Sequence, residues 1–399
     1  MNALKTLTDF EQAGLHSHVC LADGHAYQDL HPDLTQIVQR LPQIWYDSAE
    51  QSIPDAETHF SNGYASFINA PILKDFKNFN ICPTASNSID LIGAVLKNKQ
   101  LNAVMIEPTF DNLALLVRRR GVHLTPVRDT ALFEAAELNA IDDNFPHLKE
   151  YGALFLVNPN NPTGIVLSET GFKNIVHFCK KHAIVMVIDN CFRAYRRAHF
   201  QDHAILIESS VSFMAFEDTG KVWPTQDLKA SLIYYSDDLK SIFTELYNEI
   251  YLCVSNFSLG ILSSFFNETA KSGLDNVIWN VVDSRRQRLR DVLKETALSV
   301  TDESRHSYLP VEWLKYSPND KNDILLCQEL KQLNLAVLPG RQFYWDSSDQ
   351  ACHQHNIRVS LMKRETIFSA GLSILEDYCN TGSMPLHRTH ETKLSVVTQ

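Results

Sequence analysis

The chain has 399 residues, 44% of them hydrophobic and 21% charged, with a formal net charge of −11. That composition suits a globular protein with a large domain, a smaller one and a sizeable core, and no apolar run approaches the length that spans a bilayer. The acidic balance argues against nucleic acid as a partner, whereas a local acidic pocket would favour a small cationic substrate.

The N-terminal "MNALKTLTDFEQ" shows no basic stretch followed by an apolar one, so no secretory signal is expected. The first 45 residues, punctuated by Pro32 and Pro42, read as an arm. Strand and helix then alternate. "NAVMIEP" (102–108) reads as a buried strand and "FDNLALLVRRRG" as the helix after it. "GALFLVNP" (152–159), a helix over 168–182, and "AIVMVID" (183–189) follow. "VSFMAFED" (211–218) and "ASLIYYS" (230–236) are further strands. Short apolar runs separated by helices predict an α/β fold with a mostly parallel, helix-covered sheet. A long helix is expected over 280–298, then a smaller α+β unit. That unit has a helix near 321–333, strands at "NLAVLPG" and "NIRVSLM", and a last helix near 364–377. The expected divisions are an arm (1–45), a large domain (46–275), a small domain (276–381) and a polar tail (382–399).

The eight cysteines form no CxxC pair and read as thiols of a reducing cytoplasm. "ACHQHN" brings Cys352, His353 and His355 together, but no matching second cluster accompanies it. A loop is expected there and no metal site.

In open α/β sheets ligands bind beyond the carboxyl ends of the strands, which directs attention to Asn158, Asp189, Asp218 and Lys221. "NPNNPTG" (158–164) directly follows a buried strand and precedes a helix. Alone, NPTG is also a plain Pro-Gly turn. In this context it resembles the motif of the fold-type-I, pyridoxal-phosphate-dependent aminotransferase superfamily. The resemblance implies a seven-stranded sheet in the large domain, and that Asn161 donates a hydrogen bond to the cofactor's ring hydroxyl oxygen. It places Asp189 opposite the pyridine nitrogen, which must stay protonated for the ring to accept electrons. "CPTASNS" (82–88) opens a helix. By itself it is an N-cap signal, and by resemblance Thr84, Ala85 and Ser86 hold the cofactor phosphate. "EPTFDN" (107–112) makes Phe110 either a core residue or the ring that stacks on the pyridine. The superfamily pattern of a Schiff-base lysine followed eight residues on by an arginine fits Lys221 and Lys229, with lysine in the second place. Lys221 lies just past a strand at the ligand edge and is the covalent anchor, leaving Lys229 as a phosphate contact. Arg358 in "NIRVSLM", if not simply a surface arginine, matches the residue that pairs with a substrate α-carboxylate.

Three departures stand out. Phe192 replaces the tyrosine that usually bonds the cofactor's phenolic oxygen, Lys229 replaces arginine, and Gly220 stands where a small hydroxyl residue precedes the lysine. Together with "LT..E" (7–11), "LADGHA" (21–26), "LPQIW", "D..FR", "EDTGK.WPT.DLK" and "LP.RQF.W", they resemble a small subfamily. These are the pyridoxal-phosphate- and oxygen-dependent arginine oxidases of natural-product pathways, of the enduracididine-type hydroxylase and indolmycin-type dehydrogenase kinds. The match runs from about Leu7 to Leu375.

Carried over residue by residue, the resemblance implies that Glu11, Asp23 and Asp218 receive a substrate guanidinium. Taken singly, each is equally a solvated surface carboxylate. His25, one of sixteen histidines, matches a catalytic histidine able to move protons or direct water. Thr8 lies on the same arm, which would close as a lid. The implied function is oxidation of L-arginine with dioxygen as co-substrate. Its products would be a didehydro-2-imino or 2-keto arginine, or 4-hydroxy-2-ketoarginine, with peroxide and ammonia. An ordinary aminotransferase is the alternative. By analogy a homodimer with shared active sites is expected.

Overall fold

The apolar runs of the middle of the chain form one seven-stranded sheet in the computed structural model, which describes residues 5–74, 76–317, 321–346 and 353–381. A short strand β1 (Val19–Cys20) precedes it. The members are β2 (Phe79–Cys82), β3 (Ala103–Glu107), β4 (Leu124–Arg128), β5 (Ala153–Val157), β6 (Val185–Asp189), β7 (Phe213–Asp218) and β8 (Ser231–Tyr235). Their order is β2-β8-β7-β6-β5-β3-β4, and all neighbours from β7 to β4 are parallel. Only β8 is reversed against its neighbours β7 and β2. The fold is therefore α/β with a mostly parallel sheet.

Every residue of β3, β5 and β6 is buried, which is why these strands read as continuous apolar runs rather than alternating ones. Helices Ala85–Asn98 and Asp111–Arg119 pack together, and Asp129–Glu137, Glu169–Lys181 and Asp202–Ser209 form a second group. The strand order turns back between β3 and β5: β4 lies on one side, and β6, β7 and β8 on the other. The carboxyl ends of β3, β5, β6 and β7 therefore open on one crevice, the usual ligand position in such sheets.

A second, antiparallel sheet has the order β12 (Leu338–Pro339), β13 (Asn356–Ser360), β10 (Val311–Tyr316), β9 (Leu298–Val300). The N-terminal segment is tied to this part of the chain. Its β1 pairs in parallel with β11 (Leu335–Ala336), and Leu21 bridges the two by accepting from Ser360 N and donating to Ala336 O, both at 2.8 Å.

Two local expectations are corrected, and three strands are added to those read from the sequence. The helix read over 280–298 runs only from Asn280 to Val292. The chain turns through Glu295 at φ 60°, and Leu298 joins β9, where its buried side chain gains more than a further helical turn would give. "NLAVLPG" is two strands, because Leu335–Ala336 and Leu338–Pro339 find different partners. Strands β2, β4 and β10 give no clear run in the sequence. The first two are edge strands interrupted by polar residues, and β10 carries Glu312 into the interior, where Arg286 pairs with it at 2.5 Å. The polar tail and Cys352 lie outside the described residues. Of the other two residues of that cluster, His353 stacks on Tyr344 and contacts Arg128, and His355 meets Lys321 O through Nδ1 at 3.1 Å. Among the described residues no helix is long and apolar enough to cross a membrane.

Candidate active site

A cavity of about 280 Å³ lies at the carboxyl ends of the parallel strands. Its walls include Thr8, Glu11, His25, Thr84, Ala85, Ser86, Phe110, Asn161, Asp189, Asp218, Lys221, Lys229 and Arg358. These positions are scattered over 350 residues of sequence, yet the fold brings all of them to one place. Asp23, the remaining candidate, stands directly behind His25, whose Nδ1 donates to its Oδ1 at 2.6 Å.

Asp189 ends β6, and the backbone N–H of Cys191 donates to its carboxylate at 2.8 Å. Burial pushes its pKa up to about 6, with the charge of Asp218 adding to the effect and Lys221 opposing it. Asp218 ends β7 and caps the turn Thr219–Lys221 by accepting from Gly220 N at 2.8 Å. Lys221 is held through its carbonyl, which accepts from Tyr195 Oη at 2.7 Å. Its ammonium lies 5.9 Å from the centre of the Phe192 ring and makes no hydrogen bond to a described residue. The absence of a side chain at Gly220 has a reason here. A Cβ would come within 3.2 Å of both Asp218 Oδ1 and Lys229 Cδ, crowding the two side chains that flank the turn.

The "NPNNPTG" loop is fixed from two sides. Asp129, fully buried, accepts from Asn160 Nδ2 (2.7 Å) and Thr163 Oγ1 (2.9 Å), and Ser304 Oγ donates to Thr163 O at 2.7 Å. Gly164 has φ +75°, and a Cβ there would collide with Ser307 Oγ. Asn161 Oδ1 accepts from Arg358 Nη1 at 3.2 Å, so the amide NH₂ is its free end. Thr84 caps helix Ala85–Asn98 through Asn87, which leaves the first N–H groups of that helix facing the cavity.

The N-terminal segment supplies the other wall. Helix Leu7–Gly14 is docked by Asp111, whose Oδ2 accepts from Leu7 N at 2.9 Å. Ala26 N donates to Gly220 O at 3.2 Å, beside the lysine turn. Burial acts to raise the Asp23 carboxyl, but the bond from His25 and the charge of Lys363 outweigh it and hold Asp23 well below the usual range. Because His25 donates through Nδ1, its Nε2 is the accepting nitrogen, 3.3 Å from Lys229 Nζ.

Asp111 sets a pH dependence for this docking. Burial raises its pKa to about 7, with Glu11 adding repulsion. The docked state therefore keeps a proton on Asp111 that the undocked state, where this carboxyl is ordinary, releases near pH 4. Its stabilisation is full below that pH and is lost as pH rises through about 7. Cleavage of the N-terminal segment by a nonspecific protease should be faster at pH 8 than at pH 6, and Asp111→Asn should flatten the profile. An unchanged wild-type rate across that range would contradict this.

Beneath the cavity lies a network that sequence reading missed as a site feature, although its arginine stands in the quoted "D..FR". Buried Arg193 donates through Nε to Glu217 (2.9 Å) and through Nη1 to Asp202 (2.8 Å). With its amide oriented to satisfy both ends, Asn190 accepts from Arg193 Nη2 at 2.7 Å and donates to Asn158 O at 3.1 Å. One guanidinium thus links the residue after Asp189, the residue before Asp218 and, through Asn190, the loop of Asn161. Arg193→Met leaves two buried carboxylates without their main counter-ion and should destabilise the fold by about 3–5 kcal/mol, read by denaturant unfolding. A loss below about 1 kcal/mol would show the network to be dispensable. Tyr195 and Asp129 gave no signal in the sequence, since their roles depend on partners 26 and more residues away.

These groups fit pyridoxal phosphate. Helix N–H groups and Lys229 form an anion site, Asn161 offers a donor to a ring oxygen, and Asp189 offers a buried carboxylate whose burial a cationic ring nitrogen would offset. Fold and donor set together define a pyridoxal-phosphate-dependent enzyme of fold type I. The chain belongs to the aminotransferase class I and II family, whose family model matches residues 25–370.

Among curated relatives, it is 22% identical to histidinol-phosphate aminotransferase of Thermotoga neapolitana, over 81% of each chain. Among solved structures, it resembles that of MppP soaked with the product 2-ketoarginine, at 28% identity and a TM-score of 0.81, covering 90% of this chain and 99% of that one. The methionine aminotransferase YbdL of Escherichia coli shares the fold at 15% identity and a TM-score of 0.73, with 94% and 97% covered.

Proposed function

We propose that this enzyme oxidises L-arginine with dioxygen, giving a didehydro-2-imino or 2-keto arginine, or 4-hydroxy-2-ketoarginine, with peroxide and ammonia. The observation that carries the reading is the shape of the donor set. Carboxylates from two separate parts of the chain, Glu11 on the N-terminal helix and Asp218 at the end of β7, face one cavity that also holds Arg358. Such a pocket offers an arginine to the carboxylate of an amino acid and carboxylates to a cationic side chain. The likeness to MppP, whose structure was solved with 2-ketoarginine, supports the same class of substrate.

Pyridoxal phosphate, when bound, supplies a sink for the electrons of a broken Cα–H bond. Lys221 holds it and lies where an amine takes and returns the Cα proton. Asp189 keeps the proton on the ring nitrogen. Asn161 couples the ring oxygen to Arg358, so that cofactor and substrate carboxylate are positioned by one side chain. His25 Nε2, oriented by Asp23, accepts a proton or directs water at the substrate. Phe192 offers no hydroxyl at its place in the wall. Each removal of two electrons and two protons from the substrate reduces one dioxygen to peroxide, and water entering at Cγ gives the hydroxylated product. The first 45 residues act as a lid that limits this water.

The curated relative, an aminotransferase, favours a second reading in which a 2-oxo acid replaces dioxygen. An oxygen electrode separates the two. With L-arginine and no 2-oxo acid, oxygen uptake and peroxide are expected, with 2-keto products seen by mass spectrometry. Turnover that needs a 2-oxo acid and consumes no oxygen would establish the aminotransferase instead.

We also infer a homodimer. Trp45 (59% exposed), Tyr46 (67%) and Leu252 (87%) are large apolar side chains left in water, and a second copy would cover them. Sedimentation should give about twice the chain mass of 45.3 kDa. A monomer at micromolar concentration would refute this.

A further inference from the structure

The cation assigned to the substrate carboxylate is already engaged. Arg358 is buried. Its Nη2 lies 3.3 Å from Glu11 Oε1 and donates to Ala22 O at 2.7 Å, and its Nη1 donates to Asn161. Among the described residues, Glu11 is the carboxylate within ion-pair distance of Arg358. Both Glu11 and Ala22 belong to the N-terminal segment, and the fit at this point is close: a Cβ on Gly24 would sit 3.4 Å from Arg358 Nη2. Glu11 is itself largely withdrawn from water, and burial pushes its carboxyl up even with Arg358 beside it. Glu11 thus stands where an amino-acid carboxylate would pair.

We propose that Glu11 determines specificity by exchanging partners: it neutralises Arg358 until substrate arrives, then passes to a cation at the substrate's far end. This rests on the arginine reading above and adds to it a way of rejecting other amino acids. When an incoming carboxylate takes Arg358, Glu11 is left half-buried without its counter-ion. The cations around it are already committed. His25 is bound to Asp23, Lys363 lies over the Tyr27 ring and its charge already acts on Asp23, and Lys221 is reserved for the cofactor. A substrate with a guanidinium supplies what Glu11 lost. A neutral amino acid leaves a half-buried, unpaired carboxylate, and the pocket rejects it for that reason rather than for want of attraction at the carboxylate end. Asp218 stays in place throughout, pinned to the lysine turn by Gly220 N.

The test uses the loaded enzyme under anaerobic conditions, with binding read from the cofactor's visible absorbance and, independently, by calorimetry. The probes are L-arginine, L-citrulline, which has nearly the same shape without the charge, and the simple monocarboxylate 4-methylvalerate. Wild type should prefer arginine to citrulline by about tenfold or more. Glu11→Gln should weaken arginine by a similar factor, leave citrulline unchanged or tighter, and tighten 4-methylvalerate, because Arg358 is no longer covered. Glu11→Asp, which keeps the charge, should retain much of the preference. Equal weakening of arginine and citrulline in Glu11→Gln, or no gain for 4-methylvalerate, would overturn the exchange even if arginine is oxidised. Failure of wild type to bind arginine at all, while it binds another amino acid, would overturn the arginine reading and the exchange with it.

Discussion

Lys221→Ala is expected to leave a folded protein that still binds pyridoxal phosphate but turns over substrate about 10³-fold more slowly, or worse. Two losses combine in this variant. In the proposed mechanism the covalent hold on the cofactor disappears, and so does the amine that moves the Cα proton. The fold should survive, because the ammonium makes no hydrogen bond to a described residue and the turn is held instead by Asp218 and by Tyr195 through the Lys221 carbonyl. Borohydride reduction followed by peptide mass spectrometry checks the assignment. Wild type should carry the cofactor's mass on the peptide of Lys221, and the variant should carry none. A label on Lys229 would reverse the roles given to the two lysines. That outcome conflicts with the proposed roles, in which Lys229, its Nζ 3.3 Å from His25 Nε2, is a phosphate contact.

Asp189→Asn should produce the second large effect, a fall in kcat of roughly 10²-fold or more with a smaller change in KM. An amide does not hold a proton on a ring nitrogen as a carboxylate does, so the electron sink weakens while the substrate contacts at Arg358 and Asp218 remain. Asparagine is close in shape and can still accept from Cys191 N, so the β6 terminus should keep its conformation. Steady-state kinetics at saturating cofactor decides the matter. A kcat within threefold of wild type would overturn the proposal that Asp189 stands opposite the ring nitrogen.

The parts of this protein that were legible in the sequence share a physical cause. Strands β3, β5, β6 and β7 are buried on both faces, so each must be a continuous apolar run, and such runs need no knowledge of their neighbours. Where the strands end, the chain meets the crevice, and polar residues appear at a fixed point: Asn158 after β5, Asp189 at the end of β6, and Asp218 before Lys221. Cofactor contacts of this kind lie within a few residues of a strand end, which makes them motifs. The extent of the helix at 280–292 and the division of "NLAVLPG" were different. They depend on which distant strand pairs with which, and local pattern carries no record of that.

The acidic residues of the N-terminal segment mark the limit most clearly. Their presence and spacing were in the sequence, and the resemblance there pointed toward a guanidinium. The folded chain places Glu11 on Arg358 and Asp23 on His25. A contact across 347 residues is set by how β1 adds to β11 and how Asp111 holds the start of the first helix. The sequence by itself determined the buried strands of the sheet, its ligand edge and the residues that line the cavity there, because burial and strand termination are local demands on composition. Only the tertiary structure decided which carboxylate faces which cation, because inside a cavity that choice depends on distance and on shared desolvation, and residues far apart in the chain supply both.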